Sequence, residues 1–290
     1  MIIGGIELGG TKIVCGIGNE LGEILDRFVI PTTIPNESLN KALNYFKDKN
    51  IERLGIGSFG PVDLNKESKT YGYITSTPKQ GWENTDVLGF FKELNVPIYF
   101  DTDVNVACLG EVMCGAGKGL HNVIYGTIGT GIGFGIYQEG KLVHGLMHPE
   151  TGHMLIQKRE DDIFKGVCKY HSNCLEGLAS GPAIEKRWGK KAEELYDNEK
   201  VWELEAYYLG QSLANCIMCY SPNKIILGGG VMHNSNLLEL ARKEVLNNLN
   251  GYINKNIIIN HIDKYIVTPS LGDDSGLIGS LLLENIEINL

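Results

Sequence analysis

His153, Cys168, His171 and Cys174 follow one another as H-x14-C-x2-H-x2-C. Two thiolates and two imidazoles suit a tetrahedral divalent ion, zinc above all, and the two thiolate charges balance +2. A catalytic zinc keeps one position open for water, whereas four protein ligands close the shell, so a structural ion is expected. Such an ion would hold His153 and the loop before Glu176 as one rigid unit. The rival reading is that two reduced cysteines and two surface histidines share a loop by chance.

Three glycine turns suggest a second chemistry. "GGTK" (Gly9, Gly10, Thr11, Lys12), "GTGIG" (starting Gly129, Thr130, Gly131) and "GGG" (Gly228, Gly229, Gly230) each follow an apolar, strand-like run. Backbone N–H groups can cradle a phosphate if no Cβ obstructs the approach. Thr11, Lys12 and Thr130 add hydroxyls and a cation. Any one turn alone is more simply a hairpin; three of them, two carrying Thr, point to a nucleotide. None fits G-x-x-x-x-G-K-[ST], so a P-loop fold is not expected.

"FDTDVN" (100–105) supplies a candidate general base, Asp103, where a strand gives way to a helix at the rim of an α/β cleft. A carboxylate that takes a hydroxyl proton contributes roughly 10²–10⁴-fold. Capping of that helix by Asp101, Thr102 or Asp103 is the alternative, and both roles can coexist. His144 and His148 are assigned to surface or core roles. The pair Cys216 and Cys219 and the aromatic group Trp202, Tyr207 and Tyr208 read as packing, the aromatics alternatively as a dimer surface.

The elements that must position these groups alternate along the chain. Strands at 2–8, 13–18 and 24–32 form a meander; a helix at 37–49, a strand at 53–64, a helix at 86–94, a strand at 97–103 and a helix at 104–114 follow. Residues 122–145 then repeat the layout of 2–30, a strand, a glycine turn and a hairpin. Helices at 176–189, 191–198 and 199–219, a strand at 224–231, a helix at 235–249, a strand at 265–270 and a helix at 275–286 complete the chain. A duplicated α/β architecture with a cleft between its halves is expected. The first domain would span 1–115, joined by the terminal helix of 275–290, and the second 116–274.

Bulk properties narrow the function classes. The 290 residues suffice for two domains. A net charge of −9 without a Lys/Arg block argues against nucleic acid as a partner. The start lacks a cationic, apolar leader pattern and no run reaches a membrane span, so no signal peptide and no membrane partner are expected. Seven cysteines in such a chain suggest reduced thiols in the cytoplasm.

Taken in order, "GIELGGTKIVCGI", "GIGSFGPVDL", "DTDVNVACLGE", "GTIGTGIGFG", "HPETGHM", "C-x2-H-x2-C-LEGLASGPA" and "IILGGGVM" resemble the ROK family of sugar kinases, on the side of its bacterial fructokinases. The resemblance spans nearly the whole chain. It implies the duplicated ribonuclease-H-like, actin-type fold and ATP- and Mg²⁺-dependent phosphorylation of a hexose hydroxyl, D-fructose to fructose 6-phosphate. Glucokinase, mannokinase and N-acylhexosamine kinase activities stay open.

By the same resemblance, Gly9–Lys12 and Gly129–Gly131 match phosphate loops and Gly228–Gly230 the adenosine motif. Asp103 matches the base; Asn105, Glu150, His153 and Glu176 match sugar contacts. The family commonly places zinc at the Cys/His knuckle, and a homodimer is implied. Two positions depart from the commonest pattern: Glu7 stands where many members have Asp near Mg²⁺, and Thr102 replaces an Asn. The family's repressors carry a helix-turn-helix segment ahead of the first strand, which here begins at Ile2.

Overall fold

The protein is described by a computed structural model over residues 1–283. The first sheet holds β1 (Ile3–Leu8), β2 (Lys12–Gly18), β3 (Ile24–Pro31), β4 (Arg53–Ser58) and, beyond the short hairpin β5 (Tyr73–Ile74) and β6 (Thr85–Asp86), β7 (Ile98–Thr102). Its order is β3-β2-β1-β4-β7, an antiparallel meander extended by two parallel strands. β4 is buried along its whole length and β1 nearly so, as expected of continuous apolar runs in a sheet centre. Helix α1 (Pro35–Phe46) starts on a proline and turns Leu39, Ala42, Leu43 and Phe46 inward at helical spacing. Trp82 and Phe91, the latter on α2 (Val87–Phe91), join the same core.

The layout then repeats. Strands β8 (Val123–Ile128), β9 (Ile132–Gln138), β10 (Lys141–Leu142), β11 (Lys224–Gly228) and β12 (Ile266–Val267) form a sheet ordered β10-β9-β8-β11-β12. β8, β11 and β12 are parallel. The helices are α3 (Asp103–Cys114), α4 (Leu175–Ala179), α5 (Gly181–Trp188), α6 (Glu199–Tyr220), α7 (Ser235–Leu249), α8 (Asn256–Ile259), α9 (Ile262–Tyr265) and α10 (Ser275–Leu281). The helix expected over 176–189 breaks at Ser180, since Pro182 cannot donate its missing N–H to a continuing helix. Only a 3-10 turn, Ala192–Leu195, forms within 191–198. Of the expected terminal segment, residues 284–290 lie outside the described residues.

Two compact units result. One comprises Met1–Gly119, Gly135–Pro149 and the described residues from Ser270 on; the other comprises Leu120–Phe134 and Glu150–Pro269. The segment 135–149 thus groups with the first unit, whereas the sequence suggested a single break at 115/116. Among the described residues no helix is long and apolar enough to cross a membrane.

Within the first unit the parallel strands β1, β4 and β7 end on one edge, and Gly9, Gly60 and Asp103 follow those ends. Within the second unit Gly129 and Gly229 follow the ends of β8 and β11 in the same way. Loops at the carboxyl edge of parallel strands are where α/β folds bind ligands.

Helix α3, which starts at Asp103, is buried from Asn105 through Val112. Its neighbours approach so closely that only glycine fits between. A Cβ on Gly279 of α10 would stand 1.6 Å from the Val106 carbonyl oxygen, and one on Gly57 of β4 2.1 Å from Val106 Cγ2. The buried Glu111 carboxylate adds a polar clamp, accepting Ala116 N–H at 2.7 Å, Leu271 N–H at 2.9 Å and Ser275 Oγ–H at 2.8 Å. Gly→Ala in a helix ordinarily gains up to about 1 kcal/mol. Gly279→Ala is therefore a test by sign: it should lose about 2–3 kcal/mol in urea unfolding through overpacking, and an unchanged or raised midpoint would contradict the contact.

Candidate active site and metal centre

The first turn of α3 resolves the capping question. Thr102 Oγ1 accepts the Asn105 N–H at 3.1 Å, so Thr102 is the cap. Asp103 is left as the first helical residue, half-buried, with Oδ1 accepting the Val104 N–H at 2.9 Å. Burial pushes its carboxyl up to about 6 against the pull of the local N–H groups. Glu7 on β1 is pushed up to about 7, first by burial and then by the charge of Asp103, while Lys12 and Arg27 pull it down. Its Oε2 is buried without a hydrogen bond. A buried acid with an orphaned oxygen, raised by burial despite two cations nearby, has the chemistry to meet a divalent cation.

Both acids bind their proton more tightly folded than unfolded. Ionising Asp103 therefore disfavours the folded state progressively as pH rises from about 4 to about 6.

Below this pair lies a group whose role the sequence did not indicate. Asp101 has no exposed surface and contacts both Asn105 and His144; His148 is 5% exposed and accepts the Val62 N–H at 3.1 Å through Nε2. Both histidines are thus core residues with polar tasks. Their signal in the sequence was only an Asp two residues before the base.

The glycine turns are open at their tips. Gly9 N–H closes the first on the Lys12 carbonyl at 3.1 Å, leaving Thr11 and Lys12 exposed. In the second, Gly129 N–H reaches the Gly131 carbonyl at 2.9 Å, and the Gly129 carbonyl accepts Gly181 N–H at the start of α5 at 2.8 Å. Thr130 and Gly131 are exposed. In the third, Gly229 has φ +92°, and a Cβ there would meet the Ile128 carbonyl oxygen at 2.4 Å. A Cβ on Gly10 or Gly230 would meet nothing within 4 Å. Both backbones are thus bare toward a ligand.

In the second unit His153, Cys168, His171 and Cys174 bring one ligand atom each to within 4.8 Å of one another, so they can hold a metal ion. His153 Nδ1 lies 3.8 Å from Cys168 Sγ and 3.6 Å from Cys174 Sγ, and His171 Nδ1 lies 3.7 Å from Cys168 Sγ. Tyr170 N–H and Gly177 N–H point at the two sulfurs, at 3.4 and 3.3 Å. Burial pushes the Cys174 thiol up to about 12, so its thiolate needs a cation beside it. On the far side of the His153 ring, Nε2 lies 3.8 Å from Glu176 Oε1. Glu176 Oε2 accepts the Ile132 N–H at 3.0 Å. The knuckle is therefore wired to the second glycine turn, a link that spacing alone did not reveal. Glu150 is exposed just before the short helical turn Thr151–His153.

The other cysteine pair divides, Cys216 buried and Cys219 exposed, without a disulfide. Trp202 and Tyr208 are core residues.

Comparison with known proteins gives the family and the fold. The chain matches the ROK family over residues 3–286. Fructokinase of Pediococcus pentosaceus is 44% identical, over 98% of this chain and 97% of its own. Fructokinase of Lactococcus lactis subsp. cremoris is 43% identical, over 97% and 96%. Among solved structures, a ROK hexokinase from Thermus thermophilus aligns with a TM-score of 0.79 at 25% identity, covering 98% of this chain and 97% of that one. The two like-ordered sheets are the halves of the actin-type ATPase fold, and the chain belongs to the ROK family.

Proposed function

We propose that this protein is a fructokinase, transferring the terminal phosphoryl group of ATP to the 6-hydroxyl of D-fructose with Asp103 as general base. The observation that carries the base assignment is the Asp103 carboxyl, held at the start of α3 and raised to about 6, near the pH at which it must work. The choice of sugar is carried by relatives named fructokinase at 43–44% identity over almost the full length.

Phosphoryl transfer asks for alignment and charge neutralisation more than covalent help. Asp103 would accept the proton of the attacking hydroxyl. Gly9, Gly10, Thr11 and Lys12, with Gly129, Thr130 and Gly131, would present N–H groups, hydroxyls and one ammonium to the phosphates. Gly228, Gly229 and Gly230 would pass close along the adenosine. Mg²⁺ supplied with ATP offsets phosphate charge, and Glu7, with its unpartnered Oε2, is the residue that would hold it. Asn105, Glu150, His153 and Glu176 would bind sugar hydroxyls.

We assign zinc to the Cys/His cluster. Tetrahedral bonds of about 2.3 Å to sulfur and 2.0–2.1 Å to nitrogen put S and N about 3.6 Å apart, against 3.6–3.8 Å here. The closed N₂S₂ shell makes the ion structural, fixing His153 through Nδ1 and leaving its Nε2 toward Glu176.

ADP release measured across fructose, glucose, mannose and N-acetylated hexosamines should give fructose the highest kcat/KM; a higher value for another hexose would replace the substrate. Asp103→Asn should lower kcat by at least ~10²-fold with little change in sugar KM. The wild-type kcat/KM should fall on the acid side with a midpoint near 6. The same substitution should raise stability above pH 6, on the order of 1–3 kcal/mol. A variant with normal turnover removes Asp103 as the base. Elemental analysis should find zinc in equimolar amount, and stripping it should lower both Tm and fructose affinity; purified active protein without zinc ends the assignment.

A further inference from the structure

Asp101, next to last in β7, is a carboxylate with no exposed surface. A group of this kind persists in a protein interior only when both oxygens are partnered. Oδ1 accepts the Thr102 N–H at 2.7 Å and the Asn105 side-chain Nδ2–H at 2.7 Å. Oδ2 has His144 Nε2 at 2.9 Å, and that bond requires the proton to sit on the imidazole.

The Leu142 backbone beside the ring also favours its protonated form. The side chain is 9% exposed. Burial pulls its pKa down, but the hydrogen bond and charge of Asp101 outweigh that and leave it above the ordinary value. Two neighbouring titratable groups, His148 and Tyr71, are shifted toward their neutral forms. His148 is held neutral, lowered first by burial, with Nε2 accepting the Val62 N–H. Tyr71 is raised by burial and then by Asp101. Asn105 Nδ2 also lies 3.3 Å from His144 Nε2, a longer contact than the 2.7 Å bond by which one of its two protons reaches Asp101.

These bonds bracket the base. Residues 101 and 102 are fixed ahead of it, Asn105 behind it, and Thr102 Oγ1 closes the loop by accepting the Asn105 N–H. We propose that His144 is a positioning residue of the kinase: paired with Asp101 in a buried ion pair, it locks Asn105 and the first turn of α3 and so sets the aim of Asp103. Without the His144 proton donor, Asp101 Oδ2 is a buried, unpaired charge. The carboxylate is then driven to turn toward another donor, and turning takes Oδ1 away from Asn105. This inference rests on Asp103 being the base. A displacement of a reacting group by 1 Å costs as much as about 10²-fold in rate.

The test compares His144→Phe, which keeps ring volume without a donor, with His144→Gln, whose Nε2–H reaches the same place. With fructose, kcat should fall about 10–100-fold in His144→Phe and recover to within several-fold of wild type in His144→Gln. KM for ATP should stay within about twofold in both, because the proposed phosphate contacts lie outside this network. A folded His144→Phe enzyme with wild-type kcat overturns the proposal, as does a Gln variant no better than Phe.

If His144→Phe does not fold, nitrogen-15 NMR of the wild-type ring decides. Protons on both ring nitrogens at pH 7 support the ion pair, and a bare Nε2 overturns it. Activity that survives Asp103→Asn would instead defeat the base assignment, and the NMR result would still decide whether the His144–Asp101 pair exists.

Discussion

A helix that cannot shift is the constraint on which this structure depends. α3 is walled in by glycines of β4 and α10, with Gly57 and Gly279 each so near Val106 that one added carbon would collide. Close packing of this kind transmits position rather than absorbing it. Glu111 ties the other end of the helix to the residues that open α10. Asp103 therefore inherits its location from a core that was excluded from water for other reasons. Its neighbours can tune its proton affinity without moving it.

That tuning works against stability. Burial opposes the ionisation of both Glu7 and Asp103, and the charge of Asp103 adds to the effect at Glu7. A sequence selected only for stability would replace one of them with an amide or a hydrophobe. Keeping both makes sense where a cation and a proton must be handled at one place. The sheet offsets this with fully buried aliphatic side chains, Ile3, Ile6 and Leu8 in β1 and Leu54 and Ile56 in β4. The Asp101–His144 pair is an opposite solution one turn away: there the buried acid is fully partnered and geometry, not reactivity, is the result.

The second unit builds stiffness differently. From His153 to Cys174 the chain forms almost no regular structure, and four ligand atoms within 4.8 Å of one another offer a metal ion as its tie. The stiffness does not stop at the ligands. Glu176 stands between the His153 ring and the Ile132 N–H, so the shape of the metal knuckle and that of the glycine turn at 129–131 are set together. Residues that bind a sugar and residues that cradle a phosphate need a common frame if the reacting atoms are to meet at a fixed distance.

Much of this was legible in the sequence because it depends on local pattern. Alternating apolar runs and helical spacing gave the strands and helices, and the repeat of residues 2–30 at 122–145 gave the duplicated architecture that the matching sheet orders display. The spacing of His153, Cys168, His171 and Cys174 marked out four side chains that the fold brings together and that could hold a metal ion. What only the tertiary structure decided were relations between distant residues. His144 and Asp101 are 43 positions apart, Glu176 and Ile132 44, and nothing in composition or periodicity pairs them. The raised carboxyls belong to the same category, since desolvation is a property of everything packed around a group. Thr102 rather than Asp103 became the cap for a similar reason. Either side chain could bond the helix start; in the fold the Thr102 hydroxyl takes the Asn105 N–H, while Asp103 accepts the N–H of its neighbour Val104.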